Sequence, residues 1–93
     1  MILVTNSKFK RRFKRLIKRS PELQDKILET LETLSKDPFI PSLKSHKLTG
    51  QLDGLWACSV AYNCRIVFTF KQDSETGTNC IVLVDIGSHD EVY

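Results

Sequence analysis

The chain has 93 residues, of which 41% are hydrophobic and 27% charged, ordinary values for a single globular domain spanning residues 1–93. No apolar run approaches the roughly 18 residues needed to cross a membrane, so no membrane-spanning helix is expected. A net charge of +3 hides a strong asymmetry: residues 1–19 carry eight Lys/Arg and no acid, whereas residues 20–93 carry six bases and eleven acids.

Met1-Ile-Leu-Val-Thr5 is apolar, short and followed by lysines, and reads as a strand, not as a signal peptide. Residues 6–19 place Phe9, Phe13, Leu16 and Ile17 at helical spacing, with Asn6 or Ser7 available as the cap. Ser20-Pro21-Glu22 restarts the helical register, because Pro at the first turn lacks only an N–H that would go unused. The second helix presents Leu23, Ile27, Leu28, Leu31 and Leu34 on one side and ends near Pro38. The two form a hairpin, basic on its first arm and acidic on its second. That basic arm is either a solvated face or a contact for a polyanion, with Lys8, Arg11, Arg12 and Arg15 as candidates.

Pro38 to Gly54 is a loop-rich connection, with a short strand or turn near Lys44–Leu48. Strands then follow over Leu55–Ala61, Arg65–Lys71 and Cys80–Ile86, the first two joined tightly at Tyr62-Asn63. Alternation puts Ile66, Phe68 and Phe70 against the helices, and turns Arg65, Val67, Thr69 and Lys71 to an open face. The predicted class is therefore α+β: an N-terminal strand and a helical hairpin packed on one face of an antiparallel sheet. Cys58, Cys64 and Cys80 are odd in number and form no CxxC pair, and they read as buried thiols. No metal and no cofactor is expected, and the expected location is cytoplasmic.

The last strand runs into Gly87 and then delivers His89 and, four residues later, Tyr93. An imidazole that titrates near pH ~6.5 and an aromatic platform together suit RNA chemistry, although a surface histidine and a packed tyrosine fit the same tail. The β-α-α-β-β-β order, the basic first helix, Arg65 and the terminal His-x-x-x-Tyr together resemble the RelE/ParE toxin superfamily of type II toxin–antitoxin systems. RelE/YafQ-type mRNA interferases look closest. The most specific stretches are Lys44-Ser45-His46-Lys47-Leu48-Thr49-Gly50, Gly54-Leu55-Trp56 through Phe68, and Ile86 to Tyr93.

The resemblance implies an endoribonuclease that cleaves mRNA in the ribosomal A site, the ribose 2′-OH attacking the adjacent phosphate. It implies His89 as general acid, His46 as base and Arg65 as the grip on the scissile phosphate. Lys44 and Lys47 would be phosphate clamps, and Tyr93 would stack on a base or orient the phosphate. It also implies a cognate antitoxin as partner, beside mRNA and the ribosome. Two positions depart from the pattern: Ser59 stands where related toxins often have Arg or His, and Asn63 where YafQ-type toxins have a catalytic Asp. A ParE-like gyrase inhibitor of the same fold is the alternative, as is a binding module that keeps only antitoxin recognition.

Overall fold

Short apolar runs separated by capping residues set the element boundaries. The computed structural model describes residues 1–93. Strand β1 (Ile2–Thr5) ends at Asn6, whose Oδ1 accepts the Phe9 N–H at 2.7 Å and caps helix α1 (Ser7–Arg19). Pro21 opens a single 3₁₀ turn that leads into helix α2 (Gln24–Lys36). The loop beyond holds two further 3₁₀ turns that flank strand β2 (His46–Lys47). Strands β3 (Trp56–Ala61), β4 (Cys64–Gln72) and β5 (Asn79–Gly87) follow, and the chain closes on a four-residue helix, α3 (His89–Val92).

The sheet has five strands in the order β1-β5-β4-β3-β2. From β2 to β5 each strand is antiparallel to the next, as the short links between the last three predict. Strand β1 instead lies parallel to β5, with Ile2 opposite Cys80 and Thr5 opposite Leu83, so the sheet is mixed and not wholly antiparallel. The long helical crossover after β1 makes this possible, since a parallel neighbour cannot be reached through a tight turn.

Both helices cover one face. Phe9 and Leu16 from α1 and Ile27 and Leu34 from α2 meet Ile66, Phe68, Ile81, Leu83 and Ile86 from the sheet. Ile27 and Leu34 are fully buried, each stabilising the fold by roughly 1.5–3 kcal/mol. Leu28 does not join them: Thr30 takes the inward position, its hydroxyl donating to the Lys26 carbonyl, and Leu28 points outward. The opposite face is less open than the alternation suggests. Leu48 and Val92 close over Ala57 and Val67 there, with Leu52, Leu55 and Val84 alongside.

One carboxylate is buried. Between Val67 and Phe68 the β4–β5 register slips, and Val84 is left without a partner beside the Val67–Asp85 pair. Asp85 receives Lys8 Nζ at 3.4 Å, Arg12 Nε at 3.5 Å and the Ile86 N–H at 2.8 Å. The basic arm of the hairpin is thus partly a counter-charge to its own sheet. Removing the carboxylate in Asp85→Ala should cost about 2 kcal/mol in urea unfolding, less than the roughly 3–5 kcal/mol of fully buried pairs because Lys8 and Arg12 keep access to water. A loss under about 0.5 kcal/mol would mean that desolvation of Asp85 cancels the attraction.

Candidate active site

The face away from α1 and α2 gathers the polar chemistry at the end of the sheet where β4 begins. His46 pairs with Ala57, Ala57 with Val67, and Ser59 with Arg65, so His46, Ser59 and Arg65 project to one side. Strand spacing puts the His46 and Arg65 Cα atoms on the order of 12 Å apart, two strands across and two residues along. Ser42, Lys44, His46, Ser59, Tyr62 and Arg65 line a cleft of about 550 Å³ in this region. Two cations, an imidazole and three hydroxyls around one open hollow suit an anionic ligand.

Two of the polar groups in the cleft, Arg65 and His46, are held by backbone. Arg65 Nη1 donates to the carbonyls of Ala61, Tyr62 and Cys64 at 2.7, 3.1 and 3.1 Å, pinning the guanidinium against the β3–β4 turn. Its Nε and Nη2 donors have no such partner within the protein and remain for a ligand, in the planar geometry that suits two phosphate oxygens. Lys44 adopts the left-handed conformation, with φ 51 and ψ 40, which is uncommon for a residue other than Gly, Asn or Asp. Its carbonyl meets His46 Nδ1 at 3.1 Å. A carbonyl only accepts, so Nδ1 carries the proton and Nε2 of the neutral ring presents its lone pair.

On the β5 side of Arg65, Gly87 is its direct cross-strand partner, and α3 begins two residues later. Ser88 and Glu91 form a capping box, with the Ser88 N–H donating to Glu91 Oε1 at 2.9 Å and the Glu91 N–H to Ser88 Oγ at 3.3 Å. Val92 is buried, while Arg12 Nη1 reaches the Glu91 carbonyl at 3.3 Å and Arg19 lies 3.7 Å from its carboxylate. The helix so anchored stacks His89 edge-on against Tyr93, ring centroids 4.5 Å apart. Asp90 lies 3.6 Å from His89 Nδ1, an ion pair when the ring is protonated. Partial burial raises the Tyr93 phenol above its ordinary range and the Arg65 guanidinium pulls it back, which keeps the hydroxyl a neutral donor.

The sequence-predicted residues thus fall into three groups. Lys44, His46 and Arg65 share the cleft, and His89 with Tyr93 flanks Arg65 from the other side. Lys47 lies elsewhere: its neighbour in β3 is Trp56, and its ammonium sits 5.6 Å over the Trp56 ring, because successive strand residues face opposite ways. Lys8 and Arg12 are paired with Asp85, while Arg11 and Arg15 are exposed on α1. The thiols take no part. Burial pushes Cys58 up to about 12 and Cys64 up to about 11, so neither offers a thiolate near neutral pH. Cys80 is only half-buried. Sequence reasoning missed the helix that carries His89, although Ser88-x-x-Glu91 is a capping-box signature. It also missed Tyr62, which stands 98% exposed at the lip of the cleft.

The model of a family described as "Bacterial toxin of type II toxin-antitoxin system, YafQ" matches residues 1–93. No curated protein sequence matches. Among solved structures, the YoeB/ParE toxin from Agrobacterium tumefaciens superposes with a TM-score of 0.78 at 17% identity, covering 96% of this chain and 99% of that one. A metal-bound toxin from Helicobacter pylori gives 0.70 at 26% identity, covering 100% and 99%. The E. coli DinJ–YafQ complex gives 0.72 at 18% identity, covering 98% and 96%.

The Ser88 backbone and hydroxyl bonds hold the Glu91 carboxyl below the usual carboxylate range. A depressed pKa stabilises the cap above the ordinary carboxylate value of about 4.3, and that stability is lost as pH falls through the depressed value. NMR should therefore show Val92 methyl signals moving to unfolded positions below about pH 4 while sheet signals persist. Glu91→Gln, which cannot titrate, should flatten this response; an unchanged profile would count against the cap as the cause.

Proposed function

The chain belongs to the YafQ family of bacterial type II toxin–antitoxin toxins, and from that premise we propose that it is an endoribonuclease cleaving mRNA in the ribosomal A site. The observation that carries this reading is Arg65, a guanidinium with free donors that shares its cleft with His46 and pairs across the sheet with Gly87, two residues before His89. Transfer of a phosphoryl group from its 5′-oxygen to the neighbouring 2′-oxygen needs a base, an acid and a stabiliser of charge. His46 is suited to the base: with Nδ1 donating to Lys44, the Nε2 lone pair is free to take the 2′-OH proton. His89 is suited to the acid: Asp90 lies 3.6 Å from its Nδ1, which leaves Nε2 to bring the proton that the departing 5′-oxygen needs. Arg65 would hold the non-bridging oxygens as negative charge builds, with Lys44 beside it. The nucleophile comes from the RNA, so the chemistry requires no metal to generate one.

Tyr93 would support a base or donate to the phosphate. The cognate antitoxin is the partner expected of the family, and the DinJ–YafQ complex is a structural precedent for such an assembly. Arg11 and Arg15 are exposed α1 cations open to ribosomal RNA, whereas Lys8 and Arg12 already share the Asp85 carboxylate. A gyrase-directed inhibitor would make no use of the paired imidazoles, so we favour the nuclease.

Cleavage of a ribosome-bound message should follow a bell-shaped pH–rate profile. His46→Ala and His89→Ala should each lower the rate about 10²–10⁴-fold. The base must be unprotonated and the acid protonated, so the first variant should lose the acid limb and the second the alkaline limb. An intact message with the unaltered protein would reject the reading. For ribosome affinity, Arg11→Ala or Arg15→Ala should each reduce the slope of log K against log salt by about one. Lys8→Ala should change that slope less, and equal effects would argue against neutralisation by Asp85.

A further inference from the structure

Tyr62 has almost no contact with its own protein, being 98% exposed at the tip of the two-residue connection between β3 and β4. A bulky ring held out in water gives up the burial that aromatic side chains ordinarily gain on folding. Its backbone, in contrast, is committed to the candidate active site, for its carbonyl accepts from Arg65 Nη1 at 3.1 Å. The ring and the guanidinium are therefore parts of one turn.

A second hollow lies beyond that turn. It has a volume of about 420 Å³ and runs between the β3–β4 turn, the end of α1 and the start of α3, with Leu16, Leu23 and Cys64 in its wall. Arg19, Asn63 and Ser88 supply polar groups along it. Ala61 and Tyr62 border both this groove and the cleft of Lys44, His46 and Arg65, so the turn is the divide between them. A polynucleotide with one phosphate on Arg65 has its neighbouring nucleoside within reach of the divide. The groove offers that base an apolar wall and hydrogen-bonding partners, and the flat ring offers a stacking surface.

We propose that Tyr62 and the groove behind it form a nucleobase subsite, which holds an unpaired base flanking the phosphate on Arg65. This rests on the nuclease reading for the identity of the phosphate. It gives Arg65 an aromatic platform on each side: Tyr93 from the terminal helix and Tyr62 from the turn. Stacking is tolerant of base identity, so Tyr62 sets affinity, while Asn63 and Arg19 are placed to read a base edge.

Two measurements separate this subsite from the nuclease reading. In cleavage of ribosome-bound message, Tyr62→Ala should raise KM about tenfold, in line with one lost base stack, and leave kcat within about threefold. Tyr62→Phe should restore KM, since it keeps the ring, and the melting temperature should be the same for all three proteins. Separately, a short single-stranded RNA with a 2′-O-methyl group at the cut site and 2-aminopurine beside it should lose fluorescence on binding. That quenching should vanish in Tyr62→Ala and persist in Tyr62→Phe. Unaltered protein that quenches the methylated RNA but leaves the ribosome-bound message intact would overturn the nuclease reading and leave the subsite standing. Cutting with unchanged KM and quenching in Tyr62→Ala would overturn the subsite alone. So would a variant whose only defect is weaker antitoxin binding, because the ring would then serve a protein contact.

Discussion

A carboxylate buried in the last strand must be met by positive charge, and Asp85 draws that charge from the first helix. Lys8 and Arg12 reach it from α1, and the Ile86 amide supplies the hydrogen bond that direct ion pairing leaves unmet. This contact fixes the rotation of α1 over β5, and the same helix face then extends Arg12 and Arg19 to Glu91. Four residues at the end of a chain have little helical stability of their own. Here they gain a capping box, a buried Val92 and two arginines from the opposite end of the sequence. His89 and Tyr93 inherit their positions from an interaction on the other side of the sheet.

The two faces of the sheet divide the work. The helical face holds most of the apolar core, with Phe68 at its centre. The other face is apolar where Leu48 and Val92 meet Val67, and cationic where β4 begins. The boundary lies within two residues, between Val67 and Arg65. Arg65 is pinned by three turn carbonyls and His46 by one, while α3 is held by its cap. Side chains fixed before a ligand arrives lose little freedom when it binds, which is the physical basis of preorganised sites. The cost includes a left-handed Lys44 backbone, on the order of 1 kcal/mol.

Much of this was legible from residue order. Period-two alternation in Ile66, Phe68 and Phe70 gave the helix-facing side of β4, and Asn6 marked the start of α1, whereas Pro21 opens a 3₁₀ turn and α2 begins only at Gln24. Alternation fails where a residue is inserted, so the slip at Val84 and the burial of Asp85 were invisible, although a lone acid within Ile-Val-Leu-Val-Asp-Ile asks for a counter-charge. Four residues in β1 carry no record of strand direction, which only the crossover decides. Lys44, His46 and Lys47 lie close in sequence, yet one step along a strand sends Lys47 to the other face and onto Trp56. Leu48 and Val92 covered a surface that looked open, because contacts between a loop and a chain end leave no periodic trace. The residues in the cleft were nameable one at a time; that the turn carbonyls pin Arg65 and the cap of α3 holds His89 against Tyr93 needed the turn and the helix in three dimensions.

The parallel pairing of β1 with β5 sets an order of assembly. The first strand finds its only neighbour in the last one, so nearly the whole chain must be synthesised before that ladder can close. Until then α1 and α2 lack most of the surface they will cover, and Lys8 and Arg12 lack the carboxylate that answers them. Contacts so distant in sequence slow folding, and an uncovered hairpin is open to capture by other chains in the meantime. The half-made molecule also lacks its final arrangement at the β4 start, since Arg65 meets Gly87, and through it the turn into α3, only when β5 docks along β4.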